Sequence, residues 1–361
     1  MKELNIGIAG IGGRPASFLK AIQNNRNASL KAVCDINNQA LANFTYEGNS
    51  IDKYSDYDEM LQKAKLDLII VGTPLFLHAS QSIKALAENI NVLSEVTAAA
   101  NLEEAKALVQ ACKSSKAQYM MAENCNYMKP YMIVNEMVND GFFGDLFYAS
   151  GEYLHNALHL LNRTPWRRKL YFETGIFYGT HNLGPILEWF DWDRVMTVMC
   201  SGSGRHVKYE DEYVTTDDTV VMLAKTKSGR LIQIRTEFCS HPYALNYKLQ
   251  GTKCIYDASL KTNGFDRIHT EGEEDIWDDI NQYEKKYLPD IWRRHGETAT
   301  SGGHGGSDFI LITDVIENLY ENKPMPIDIH KSMDMTLPGI ISSQSVLNNS
   351  IWMDVPDSRS W

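Results

Sequence analysis

The sequence predicts an α/β fold: a doubly wound parallel sheet at the N-terminus, then an α+β domain built on a mostly antiparallel open sheet. Three observations carry this. Short, almost wholly apolar stretches alternate with helical patterns over the first 122 residues. A glycine turn, Gly10, Gly12 and Gly13, joins the first stretch to the first helix. After Glu123 the pattern changes to longer alternating strands that follow one another hairpin-fashion, as an antiparallel sheet requires. A chain of 361 residues is also long for a single core.

In chain order, strands are expected at Leu4–Ala9, Leu30–Cys34, Leu68–Val71, Asn91–Leu93 and Gln118–Met121. They are short, apolar and flanked by polar turns, the pattern of strands buried on both faces. Helical patterns lie between them near Ala16–Asn24, Asp56–Ala64, His78–Glu88 and Glu103–Lys113, and Asn101 with Glu104 reads as a capping box. This half is a Rossmann-type domain, placed at residues 1–122. The second domain, at 123–345, opens with a helix at Tyr131–Asn139. Strands follow at Leu146–Tyr153, Val195–Cys200, Thr219–Lys225, Leu231–Phe238, Asn246–Gln250 and Lys253–Asp257. Ser228-Gly229 in "KTKSGRLIQI" marks a hairpin turn. Residues 346–361 read as a C-terminal tail, and the acidic "EGEEDIWDDI" as a solvated surface segment.

A hydrophobic content of 43% and charged content of 22% describe an ordinary globular protein, and a net charge of −11 argues against nucleic acid as a partner. No membrane-length apolar run and no leader-like segment is visible, so no membrane association and a cytoplasmic location are expected. The six cysteines are scattered without a CxxC pair or a ligand-like cysteine–histidine spacing, which points to free thiols and no metal site.

The chemistry-bearing residues begin with "IGIAGIGGRPASFLKAI". Small residues between strand and helix let the backbone approach a diphosphate, and the helix start offers amide hydrogens. Pro15 stands where the third glycine of G-x-G-x-x-G is expected, which suits a first helical turn. Asp35 ends the second strand, where an acidic side chain accepts from adenine-ribose hydroxyls; it also suits a turn. No arginine or lysine follows in "INNQA", so NAD is favoured over NADP. Thr73, Pro74 and His78 in "VGTPLFLHA" lie at the end of a third strand on the cofactor side of such a sheet, and His78 is equally compatible with a plain first-turn residue.

The order of the glycine turn, "VGTPLFLH", "VLSEVTAA" and a later histidine resembles the Gfo/Idh/MocA oxidoreductase family, whose substrates are sugars and polyols. Typical dehydrogenases of that family carry Glu-Lys-Pro where this chain has Glu95-Val96-Thr97, and an aspartate where it has Phe177; the histidine is kept as His181. "MMAENCNYM", "GEYLHN", "FYGTHNLGP", "QGTK" and "GHGGSDFI" are more closely similar to the NAD-dependent α-N-acetylgalactosaminidase branch. The resemblance implies redox-neutral glycoside cleavage: a hydroxyl at carbon 3 is oxidised, the carbon-2 proton is removed, the carbon-1 group leaves, water adds and the alcohol is restored. It places Glu95 at the nicotinamide end of the cofactor. It also implicates Glu123, Tyr153 and His181 in the site, with Tyr243 in "SHPYALNY" as a further match.

His181 is then the base at the hydroxyl, since imidazole titrates near neutrality. Tyr153 is the base at carbon 2, which requires a depressed pKa or a charged neighbour, and Glu123 binds hydroxyls or orients one of these groups. Packing, sheet-surface and domain-junction roles stay open for the three. Trp166 and Arg167 in "TPWRRK" suit stacking on and hydrogen bonding to a sugar, and His304 among four glycines suits a loop close to substrate or cofactor or a simple connector. The expected ligands are NAD and a small-molecule sugar or glycoside. The open sheet favours a homo-oligomer, dimer or tetramer. The other readings are a net sugar or polyol dehydrogenase and a non-catalytic NAD or sugar sensor.

Overall fold

The computed structural model describes residues 2–361 apart from 47–49, 157, 159, 170–173, 177, 214–215, 238–243, 259–265, 273–275 and 301. Two compact units are present: Met1–Met128 with Asp290–Met333 and Ser358–Trp361, and Lys129–Pro289 with Asp334–Asp357. Neither unit is a continuous stretch of chain, in contrast to the boundaries expected at 122 and 345.

In the first unit, β1 (Leu4–Ala9), β2 (Ala28–Cys34), β3 (Asp52–Tyr54), β4 (Leu68–Val71), β5 (Asn91–Ser94) and β6 (Tyr119–Met121) form a parallel sheet in the order β3-β2-β1-β4-β5-β6. That order reverses direction at β1, the Rossmann topology, which leaves a crevice beyond the carboxyl ends of the central strands. Ile6, Ile8, Leu30, Ile69, Ile70, Val92 and Leu93 are fully buried, as apolar strands covered on both faces must be. β3 escapes sequence reading because it is an exposed edge strand of Asp-Lys-Tyr. The expected helix at Ala16–Asn24 is instead a 3-10 segment, Arg14–Phe18, running into a short α-helix, Leu19–Gln23. Asn101 caps the helix Leu102–Ser114 by accepting from the Glu104 amide at 2.9 Å, and the Glu104 carboxylate accepts from the Ala100 amide.

The helices Asp290–Ala299 and Ser307–Tyr320 belong to this unit because polar side chains fasten them to it. The Trp292 indole donates to the Tyr127 carbonyl at 3.1 Å, and the Tyr127 hydroxyl donates to Asp314 at 2.9 Å. The last residues also dock here: Lys113 donates to the Trp361 carbonyl, and Ser358 pairs with His330.

The second unit is built on β7 (Leu146–Leu154), β8 (Val195–Gly202), a two-stranded ribbon of β9 (Lys208–Tyr209) and β10 (Glu212–Tyr213), then β11 (Thr219–Thr226), β12 (Leu231–Glu237), β13 (Ala244–Gly251), β14 (Cys254–Asp257), β15 (Arg267–Thr270), β16 (Asp278–Asp279) and β17 (Met353–Asp354). All but the ribbon join one sheet in the order β16-β15-β14-β13-β7-β12-β11-β8-β17. Pairing is antiparallel except between β7 and β12. Ser228-Gly229 turns β11 into β12, with Gly229 at φ +88°. β16 and the buried Ile280 show that the acidic stretch ends inside the fold, and β17 takes the read tail into the sheet as an edge strand. Alternate residues such as Val220, Met222, Ile232, Ile234, Tyr247 and Leu249 are buried on one face, while Val221 and Lys248 on the other stay exposed. Among the described residues no helix is long and apolar enough to cross a membrane.

The proline in the glycine turn has a structural counterpart. A Cβ on Gly72, just past β4, would collide with the buried Pro15 ring. Close approach of helix and strand is thus secured by glycine on the strand side. Gly72→Ala should cost about 1–3 kcal/mol through overpacking. Pairing it with Pro15→Ala, which removes the colliding atom, should recover part of the loss in a thermal-unfolding double-mutant cycle; strictly additive effects would show that the two residues do not press on each other.

Candidate functional site

At the end of β1 the chain turns through Gly10, which sits at φ +84° and whose added Cβ would fall 2.7 Å from the Gly72 carbonyl oxygen. Only glycine fits there. Beyond it the turn is open: a Cβ on Gly13 would meet nothing within 4 Å, and one on Gly12 only the Asp35 carboxylate at 3.9 Å. Asp35 accepts from the Ile11 amide at 3.0 Å and the Asn37 amide at 2.8 Å, so its carboxylate is held at the rim of the turn. Thr73 donates to Gln81 at 2.6 Å. Buried His78 places its ring nitrogens 3.0 Å from the Thr97 carbonyl and 2.8 Å from the Thr73 carbonyl. It ties together the loops that follow β4 and β5. Pro74 precedes the 3-10 turn Leu75–Leu77 that leads into the His78 helix.

Arg14, which the sequence reading passed over, is the hub of this unit. Its guanidinium donates two hydrogen bonds to Asp308, at 2.5 and 2.6 Å, and one to Ser17 at 2.6 Å. Its Nε lies 3.4 Å from buried Glu95, and the guanidinium stacks over Phe18. Burial works against the cation, but Glu95, Asp308 and Glu123 more than offset it and push the Arg14 pKa up. Asp308 is fully buried. Burial alone would raise its carboxyl; hydrogen bonds from His304 and Arg14, with the guanidinium charge, win and hold it well below the usual carboxylate range. His304 Nδ1 lies 2.9 Å from Asp308 Oδ2. The peptide between Val96 and Thr97, just after Glu95, is cis. Glu123, buried, caps the 3-10 turn Asn124–Tyr127 by accepting from the Cys125 amide at 3.1 Å.

In the second unit, the helix Gly179–Trp189 crosses β7 at Gly151, where an added Cβ would lie 3.2 Å from Asn182. Tyr153 lies two residues further along the same strand face, and His155 just past the strand's end. That close approach puts the His181 ring 5.1 Å from the Tyr153 ring, centroid to centroid. His155 stacks on Tyr153 at 5.6 Å, and Tyr178 stacks on His181 at 6.0 Å. The Tyr247 hydroxyl donates to the His181 carbonyl at 2.5 Å, fixing that turn of helix. Arg167 donates to the Tyr178 hydroxyl at 2.7 Å and to Thr164 at 3.0 Å, and stacks over Trp166.

The structure therefore brings Tyr153 and His181 together and adds His155 and Tyr178 beside them. Trp166 and Arg167 reach this group through Tyr178. The glycines, Asp35, Thr73, Pro74, His78, Glu95, Glu123 and His304 belong to the first unit. Tyr243 and Phe177 lie outside the described residues. His155 and Tyr178 were legible only as neighbours of Tyr153 and His181 in sequence. Arg14 had one signal, a cation directly after the glycine turn.

The open faces of Gly12 and Gly13, with Asp35 at their rim, fit a dinucleotide: room for a diphosphate, and a carboxylate for ribose hydroxyls. Residues 4–123 match the oxidoreductase family with an NAD-binding Rossmann fold, and residues 157–360 match the C-terminal domain of glycosyl hydrolase 109. The unit binds NAD. A glycosyl hydrolase family 109 protein of Saccharopolyspora erythraea is 28% identical over 99% of this chain and 83% of its own length. An α-N-acetylgalactosaminidase of Shewanella oneidensis is 26% identical over 99% and 85%. Among solved structures, the fold is shared with the WlbA dehydrogenase of Bordetella pertussis in complex with NADH and UDP-GlcNAcA (TM-score 0.78, 19% identity, 98% of each chain). It is also shared with an oxidoreductase domain protein of Kribbella flavida (TM-score 0.80, 17% identity, 99% and 100%).

Removing the Arg14 cation should be costly, because it strands a buried carboxylate. Arg14→Ala should lose about 3 kcal/mol in denaturant unfolding at pH 7. The pH dependence follows from the sign of the Asp308 shift. A depressed carboxyl stabilises the fold fully above the ordinary carboxylate pKa near 4 and loses that contribution as pH falls through the folded value. Between pH 4 and pH 2 the wild type should therefore lose more stability than Asp308→Asn; parallel acid limbs would contradict the charged pairing.

Proposed function

The chain belongs to the glycosyl hydrolase 109 family, and on that premise we propose that it cleaves a glycoside with no net redox change, using NAD bound in its Rossmann unit. The observation that carries this reading is the Tyr153–His181 pair, with ring centroids 5.1 Å apart. A simple alcohol oxidation needs one group to take the hydroxyl proton. Oxidation followed by elimination needs a second, for the C–H proton on the neighbouring carbon, and two proton-handling rings side by side meet that need.

Bound NAD supplies a reversible two-electron acceptor. His181 takes the hydroxyl proton at carbon 3 and Tyr153 takes the proton at carbon 2. His155 stacks on Tyr153 and adds a further ring to the group. Arg167 fixes the Tyr178 oxygen by donating to it, and Trp166 offers an aromatic face for a sugar. Glu123 serves as a positioning residue: one of its carboxylate oxygens accepts from the Cys125 amide. Val96 occupies the position where family dehydrogenases carry lysine, so proton removal falls to the ring pair.

The uncovered face of the large sheet, with exposed Val221 beside the Glu152–Arg235–Asn246 row, is the surface we assign to a second copy of the chain, as a dimer or tetramer. The free described cysteines fit a reducing, cytoplasmic setting.

The Shewanella relative's name makes an α-N-acetylgalactosaminide the first substrate to test. With nitrophenyl α-N-acetylgalactosaminide in deuterated water, the purified protein should release nitrophenol, place deuterium at carbon 2 and accumulate no NADH. Tyr153→Phe and His181→Ala should each lose about 10²–10⁴-fold in rate while still binding NAD. NADH accumulation from free sugars without nitrophenol release would make the enzyme a net dehydrogenase.

A further inference from the structure

We propose that His304 is a ligand of the NAD diphosphate, held for that task by buried Asp308 and Arg14. The inference rests on NAD binding by the first unit, not on the glycoside reaction. His304 lies in "GGHGGSD", and the loop Gly303–Gly306 packs against the segment that follows the glycine turn: a Cβ on Gly303 would lie 3.1 Å from Ser17 Cβ and would collide with the Asp308 carboxylate. Arg14, the residue after Gly13, joins the two segments through its bonds to Ser17 and Asp308. The histidine thus stands on a loop packed against the segment that follows Gly12 and Gly13, whose backbone leaves room for a diphosphate.

The chemistry of the ring is set by its inner partner. Asp308 is an ionised, fully buried acceptor, so His304 Nδ1 carries hydrogen and donates to it at 2.9 Å. The imidazole is 42% exposed, and among the described residues its Nε2 has no partner. With Nδ1 committed, a proton on Nε2 makes the ring an imidazolium, which donates to one anion inside and can donate to a second outside. Arg14 itself is held by Asp308, Ser17 and Glu95. His304 also holds φ +51°, a left-handed backbone that glycine adopts without strain and histidine does not. A non-glycine residue kept at such a position, flanked by glycines, is placed for its side chain.

The test measures binding, not turnover. Dissociation constants for NAD, ADP-ribose (which keeps the diphosphate) and adenosine (which lacks it) are measured by calorimetry on wild type, His304→Gln and His304→Gly. The glycine variant suits the left-handed backbone and guards against misfolding. A lost charge-assisted hydrogen bond should weaken NAD and ADP-ribose by about tenfold to a hundredfold in both variants, leaving adenosine unchanged. Unchanged ADP-ribose affinity, or an equal loss for adenosine, in variants that unfold at the wild-type temperature would overturn the proposal. A wild type that binds neither NAD nor ADP-ribose would overturn the cofactor assignment itself, and this inference with it.

Discussion

The first unit depends on one buried carboxylate. Asp308 has no access to water, and everything around it is arranged to keep it charged: two bonds from Arg14 and one from His304. Arg14 and Asp308 lie 294 residues apart in sequence. Their pairing brings the helix Ser307–Tyr320 and its glycine-rich entry against the start of the Rossmann domain. Such a pair adds little net stability, since both groups give up hydration to form it. Its worth is positional, because any other docking of that helix leaves a bare charge in the interior.

The same cation settles the environment of Glu95. That carboxylate follows a buried strand directly, one residue ahead of the cis peptide, with no lysine after it. Arg14 supplies the missing positive charge from 81 positions earlier, at 3.4 Å. The glycine turn, the strand-end glutamate and the late glycine loop therefore share one electrostatic cluster, and a change at any of them is felt at the others.

In the second unit the governing constraint is steric. Gly151 has no side chain, so the helix Gly179–Trp189 settles onto β7 and its His181 reaches Tyr153. A larger residue there would hold the helix off and part the two rings. The pairing of proton-handling groups is thus a product of close packing at a residue that carries no chemistry.

Much of this was legible in the sequence. The parallel strands show as apolar runs because both their faces are covered. The glycine turn shows because its backbone tolerates nothing else, and His181 and Tyr153 stand in motifs that survive as short strings. What local sequence could not show has a common physical cause. Arg14–Asp308, Pro15 against Gly72, and the seating of the 290–333 segment on the first unit are all contacts between residues far apart in the chain. β3 hid because an exposed three-residue edge strand has no apolar pattern to display. The sequence by itself determined the elements, the Rossmann turn and the types of chemically able side chains, since these follow from local backbone and burial requirements. Tertiary structure alone decided which charges meet and which rings stand side by side, because a buried charge and a missing side chain act only on what the fold carries to them.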